Sequence, residues 1–153
     1  MAYAVLLGSD PGGRAALQAP IRNGRRVRSL QTVASLEEVR TTMNAPQLLS
    51  EADIEEAIAQ PVFLLFKHSF RCGTSAEAAL QFDRFVGASD TPVGWVDVVE
   101  QRPLARWIAE RVGVVHQSPQ VILFRDGKPV WNASHNAVTY DKLMEATGAT
   151  PKA

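Results

Sequence analysis

The sequence predicts an α/β domain: a central mixed sheet with helices on both faces. Three observations predict it. Val62 to Phe66 is a short unbroken apolar run, which suits a strand covered on both sides. Strand-like and helix-like patterns alternate around it, so a strand–helix–strand link can form a parallel pair. Asp126-Gly127 lies between two further strand-like runs and is a strong hairpin signal, which adds an antiparallel pair.

Taken in order, residues 1–45 differ from the rest. Gly8, Gly12, Gly13, Gly24, Pro11 and Pro20 break any regular pattern, and Arg14, Arg22, Arg25, Arg26, Arg28 and Arg40 make the stretch basic. This composition predicts a poorly ordered N-terminal extension, with a short helix over Ser35 to Met43 as its one candidate element. Tyr3 is its only aromatic residue, so it lacks a stacking platform for bases and no nucleic-acid partner is expected. It shows no regular amphipathic period of the kind a transit peptide has.

Regular patterning begins near Gln47, and the domain is expected over residues 46–153. Ser50 caps a helix, with Asp53 completing a weak capping box. Ile54, Ala57 and Ile58 share one face of that helix, and Pro61 stops it. The strand Val62 to Phe66 follows, then a turn of Lys67, His68, Ser69, Phe70 and Arg71. A second helix is expected from Thr74 to Val86, with Ala78, Leu80, Phe82, Phe85 and Val86 on its apolar side. Val93 to Val99 reads as a strand. Pro103 opens a helix from Leu104 to Val112 that Gly113 ends, with Trp107 and Ile108 on its buried face. Gln120 to Arg125 and Lys128 to Ala133 form the hairpin around Asp126-Gly127. Thr139 caps a last helix that Gly148 ends.

Composition narrows the function. The chain has 153 residues, enough for one domain with a core, and 16 basic against 16 acidic side chains. No global charge favours nucleic acid or a membrane surface. No apolar run approaches the ~20 residues of a spanning helix, so no membrane partner is expected. Cys72 is the only cysteine, which rules out an internal disulfide and suits a reducing cytoplasm. His116 and His135 lie far apart and make no metal-ligand spacing, so no metal is expected.

Cys72 stands at or just before a predicted helix start, with Arg71 behind it. Free backbone N–H groups, the helix dipole and a guanidinium all stabilise a thiolate, the reactive form of cysteine. Ser75 lies three residues on, within reach of the thiolate as a hydrogen-bond donor or of the helix end as a cap. Cys72, Ser75 and Arg71 are thus the candidate catalytic residues. Lys67 and His68 fit three roles: a solvated turn, a cationic site for a carboxylate of a small thiol, or a charge that lowers the Cys72 pKa. His68 is a poor general base, because no third group is evident to orient it. Asp97 reads as a strand-end polar residue, and Trp107 and Trp131 as core. C-x-x-S holds one nucleophile and no resolving cysteine. Attack on a disulfide therefore stops at a mixed disulfide that an outside thiol must release.

The order of elements, with Ser118-Pro119 between a helix and an apolar strand, resembles the thioredoxin fold. That likeness implies a cis bond at Pro119 beside the reactive cysteine, where a substrate backbone can pair. FKHSFRCGTSA and SPQVILFRDGKPVW resemble the monothiol bacilliredoxin family, the thioredoxin-like proteins of the bacillithiol system. The likeness runs from about Gln47 to Thr147. Lys67-His68-Ser69, Cys72 with Ser75, and Ser118-Pro119-Gln120 carry it. Gly73 stands where a proline is usual in that family, and Asn136 where an aromatic is expected. Dithiol thioredoxins place a buried carboxylate six residues before the nucleophile, where this chain has Phe66.

The resemblance implies an enzyme that removes bacillithiol from mixed disulfides on protein cysteines. Its partners would be bacillithiolated proteins and a low-molecular-weight thiol, with bacillithiol as co-substrate and no tightly bound cofactor. Lys67, His68, Ser118 and Pro119 would form the thiol-binding side of the site. Two other classes stay open. Cys72-Gly73-Thr74-Ser75 is similar to the C-G-F-S of monothiol glutaredoxins that carry iron–sulfur clusters, although FRDGK replaces their Gly-Gly turn. A non-catalytic thioredoxin-like adaptor is the third class.

Overall fold

A computed structural model describes residues 21–22, 25–26, 43–71 and 73–152. The chain divides into two units, Met1–Glu38 and Val39–Ala153. In the first, β1 (Ile21–Arg22) pairs antiparallel with β2 (Arg25–Arg26), Ile21 opposite Arg26 and Arg22 opposite Arg25. The rest of the expected extension up to residue 42, including the helix expected over Ser35 to Met43 apart from Met43 itself, lies outside the described residues.

The second unit is the α/β domain. Its elements run α1 (Glu51–Ile58), β3 (Val62–His68), α2 (Gly73–Ala88), β4 (Val93–Asp97), α3 (Arg102–Val112), β5 (Gln120–Arg125), β6 (Lys128–Ser134), a 3₁₀ turn (His135–Ala137) and α4 (Tyr140–Thr147). The four strands stand in the order β4-β3-β5-β6. β3 is parallel to β4 and antiparallel to β5, and β5 is antiparallel to β6. The expected mixed sheet is present.

Side chains alternate across β3, and each face has its own core. Leu64 and Phe66 pack with Phe82 and Phe85 of α2 and Leu143 of α4. Phe63 and Leu65 pack with Ile54 and Ile58 of α1 and with Leu104 and Ile108 of α3. Helices cover both faces, which is why β3 could be apolar without interruption.

Local signals formed the ends of the elements. Ser50 Oγ accepts from Asp53 N at 3.2 Å, and Asp53 Oδ2 accepts from Ser50 N at 3.0 Å, a complete reciprocal capping box. Thr139 Oγ1 accepts from Lys142 N at 3.4 Å. Asp126 and Gly127 both have positive φ, 49° and 77°, as a tight hairpin requires.

The domain takes in residues ahead of the expected boundary at 46. Met43 is buried with Leu64, Phe66 and Trp95. Trp95 Nε1 donates to Ala45 O at 3.1 Å, and Trp95 N donates to Pro46 O at 3.0 Å. Leu80 differs in the other direction. Expected on the apolar side of α2, it is 65% exposed, because the buried face of that helix is Ser75, Ala78, Phe82 and Phe85.

Candidate active site

The candidate residues stand where β3 ends and α2 begins, and on the loop before β5, which Gln120 bonds to β3. β3 runs two residues further than expected, so Lys67 and His68 belong to the strand and not to the turn. Each continues the alternation of the strand, and both are buried, at 0% and 1% exposure. The expectation of a solvated or ligand-facing pair is therefore corrected. In this conformation neither side chain meets solvent.

Their surroundings differ. Lys67 lies opposite Gln120 across the β3–β5 pair, and its Nζ donates to Gln120 Oε1 at 2.9 Å. Burial pushes the Lys67 ammonium down to about 8. His68 sits among aromatic rings. It stacks on Phe66 with centroids 5.2 Å apart, meets Phe70 edge-on at 4.4 Å, and lies 6.4 Å from Trp95. Neither ring nitrogen has a hydrogen-bond partner. Burial pushes His68 down to about 4, against an opposing pull from the Asp97 carboxylate. His68 is thus a neutral ring at physiological pH and supplies no positive charge to a nearby thiolate.

The turn after β3 leads into the helix. Ser69 Oγ accepts from Arg71 N at 3.3 Å and shapes that turn. Cys72, the expected nucleophile, lies outside the described residues. Its covalent neighbours do not: Arg71 closes the turn and Gly73 is the first residue of α2. The Arg71 side chain is 75% exposed, and its Nη2 lies 3.5 Å from Glu100 Oε1. Ser75 is fully buried, and its Oγ has no hydrogen-bond partner. A buried hydroxyl without a partner keeps its donor for a neighbour inside the fold.

The Ser118–Pro119 bond is cis, as the likeness to the thioredoxin fold implies. Pro119 is buried, and the half-buried Ser118 has an Oγ without a partner. Pro119 O accepts from His135 N at 3.0 Å, and Ser134 Oγ donates to Gln117 Oε1 at 2.7 Å. Both bonds tie the loop to the end of β6. The Lys67–Gln120 pair ties it to β3.

Sequence reasoning assigned no task to Gln120 beyond its place in the family likeness. Its side chain accepts from Lys67 Nζ and from Gln117 N at 3.2 Å, and donates to Val115 O at 3.0 Å. The available signal was a lone polar residue opening an otherwise apolar strand. Asp97 ends β4 as expected, its Oδ1 accepting from Val99 N at 2.9 Å and Glu100 N at 3.1 Å. Phe66, at the position of the thioredoxin carboxylate, is buried and stacks on Phe82 with centroids 4.7 Å apart. Among the described residues no group of three or more His, Cys, Asp or Glu side chains is placed to hold a metal ion. None of the helices described there is long and apolar enough to cross a membrane.

The family model of Monothiol bacilliredoxin BrxC matches residues 31–143. Among solved structures, a candidate oxidoreductase with a thioredoxin fold is 33% identical, with a TM-score of 0.64, covering 67% of this chain and 92% of its own. A thioredoxin variant from Halobacterium salinarum is 19% identical, with a TM-score of 0.57, over 67% of this chain and 87% of its own. Mitochondrial thioredoxin 3 from Saccharomyces cerevisiae is 16% identical, with a TM-score of 0.56, over 68% and 93%. The last two show the fold alone. Taken with the single cysteine at the β3–α2 junction, these matches show a thioredoxin-fold protein with a thiol redox role, and the chain belongs to the monothiol bacilliredoxin family.

Proposed function

We propose that this protein removes bacillithiol from mixed disulfides on protein cysteines. The observation that carries the proposal is the C-x-x-S sequence, with one cysteine in the chain, at the start of α2 in a protein of this family. The Cys72 thiolate attacks the bacillithiol sulfur of a protein–bacillithiol disulfide. The client cysteine leaves as a thiolate, and the bacillithiol stays on Cys72 as a new mixed disulfide. A thiolate of free bacillithiol then attacks that bond. It releases Cys72 as thiolate and forms the disulfide of bacillithiol. Each step exchanges one S–S bond for another, so no further electron donor enters until the small disulfide is itself reduced.

The chain supplies three aids. Free N–H groups at the first turn of α2 and the Arg71 guanidinium favour the thiolate, and the buried Ser75 hydroxyl has a donor to spare for it. The client backbone pairs beside Ser118 and Pro119. Lys67 and His68 act from inside the domain and make no contact with the thiol. This chemistry suits a reducing cytoplasm.

The test is a protein substrate carrying one bacillithiolated cysteine, incubated with free bacillithiol and followed by intact mass. The wild type is expected to strip the adduct, and Cys72→Ser to leave it, because a hydroxyl is a far poorer nucleophile than a thiolate at neutral pH. Equal release by the two proteins would overturn the proposal. A coloured, thiol-dependent cluster after iron and sulfide reconstitution, with no release of adduct, would favour the carrier class instead.

A further inference from the structure

The loop that carries Ser118 and Pro119 is folded around one side chain. The Gln120 amide bonds Val115 O, Gln117 N and Lys67 Nζ. The first two bonds close the loop on itself. The third crosses to β3, 53 residues earlier, and fixes the closed loop to the strand that leads into the Cys72 turn. Lys67 is a costly residue for this place. An ammonium buried on a sheet face loses its hydration, and among the described residues Gln120 is its one hydrogen-bond partner. An apolar side chain of similar length would fill the same volume without that cost. The cation also acts on the loop through space: partial burial and, after it, the Lys67 charge hold His116 below its usual value.

We infer that Lys67 and Gln120 form a polar pin that fixes the Ser118-Pro119 loop to the end of β3, making Lys67 a positioning residue for client binding and not a ligand of the small thiol. The inference rests on the thiol-exchange reading for its functional half. Its geometric half stands by itself.

Both halves are tested on the full chain with Lys67→Met, Gln120→Leu and the double variant. The first readout is amide hydrogen exchange at Gln117, whose N–H is held by Gln120. Each single variant is expected to speed it about tenfold, the effect of one lost anchoring bond. The second readout is the split between kcat and KM for a bacillithiolated protein, where KM is expected to rise about tenfold with kcat held. The double variant replaces the pair with apolar side chains and is expected to regain thermal stability, since such replacements are often neutral or stabilising. It is not expected to regain KM. A double variant with both stability and KM at the wild-type level would overturn the inference, leaving the pair a matter of stability alone. Unchanged exchange at Gln117 in Lys67→Met would overturn it as well. Should the wild type strip no bacillithiol, the functional reading fails while the exchange measurement still decides whether the pin exists.

Discussion

His68 should make the domain acid-sensitive in a measurable window. Its ring is 1% exposed, both nitrogens lack partners, and burial lowers it from 6.5 to about 4. The unfolded chain holds a proton on His68 below pH 6.5, and the folded protein refuses it until about pH 4. Stability from this group is therefore fully present above pH 6.5 and is lost as the pH falls toward 4. The full shift is roughly 3 kcal/mol, and about 2 kcal/mol of it is gone by pH 5. For a domain of this size that loss corresponds to a fall in Tm of roughly 8 °C.

His68→Phe keeps a ring among Phe66, Phe70 and Trp95 and removes the titration. At pH 7 the variant should be as stable as the wild type or more so, because two unpartnered buried nitrogens are gone. At pH 5 it should be the more stable by about 2 kcal/mol. Urea denaturation of both proteins at pH 7, 6 and 5 measures this difference, and carboxylates common to both cancel. Parallel stability curves would refute the reasoning. His68 would then take its proton freely, solvent would reach it, and a role in binding the carboxylate of a thiol would return.

Two further predictions concern the nucleophile. Arg71→Ala should raise the midpoint of Cys72 thiolate absorbance with pH, by a fraction of a unit, because the guanidinium is largely exposed and shared with Glu100; an unmoved midpoint would make Arg71 a surface residue only. Ser75→Cys should convert the chemistry from one thiol to two. The new thiol lies one helical turn along and occupies the space of a buried, unpartnered hydroxyl, so the Cys72–bacillithiol adduct should decay without added thiol while the wild-type adduct persists. Equal adduct lifetimes by mass spectrometry would show that positions 72 and 75 are not paired as in a dithiol site.

Much of this protein could be read from short stretches of sequence, because the forces concerned act between near neighbours. Ser50 with Asp53, Thr139, Gly113, Asp126-Gly127 and Gly148 each satisfy or turn the backbone within a few residues, so their residue types specify the ends of elements. The unbroken run from Val62 to Phe66 identified a strand covered on both faces. A lone Cys72 with Ser75 in place of a second cysteine limited the exchange chemistry to one thiol. The placement of polar residues was different. Lys67, His68 and Gln120 read locally as turn and strand-end residues, since charged and polar side chains mostly stay in water. Their burial depends on partners that only folding supplies: Lys67 meets Gln120 from 53 residues away, and His68 enters a ring cluster completed by Trp95 from the neighbouring strand. Met43 joined the core and Leu80 left it for the same reason. A periodic pattern shows that a helix has an apolar side, but the elements packed against it decide which residues are covered. The site is built at such a meeting of distant segments, where the cost of burying a charge is offset by a bond across the sheet.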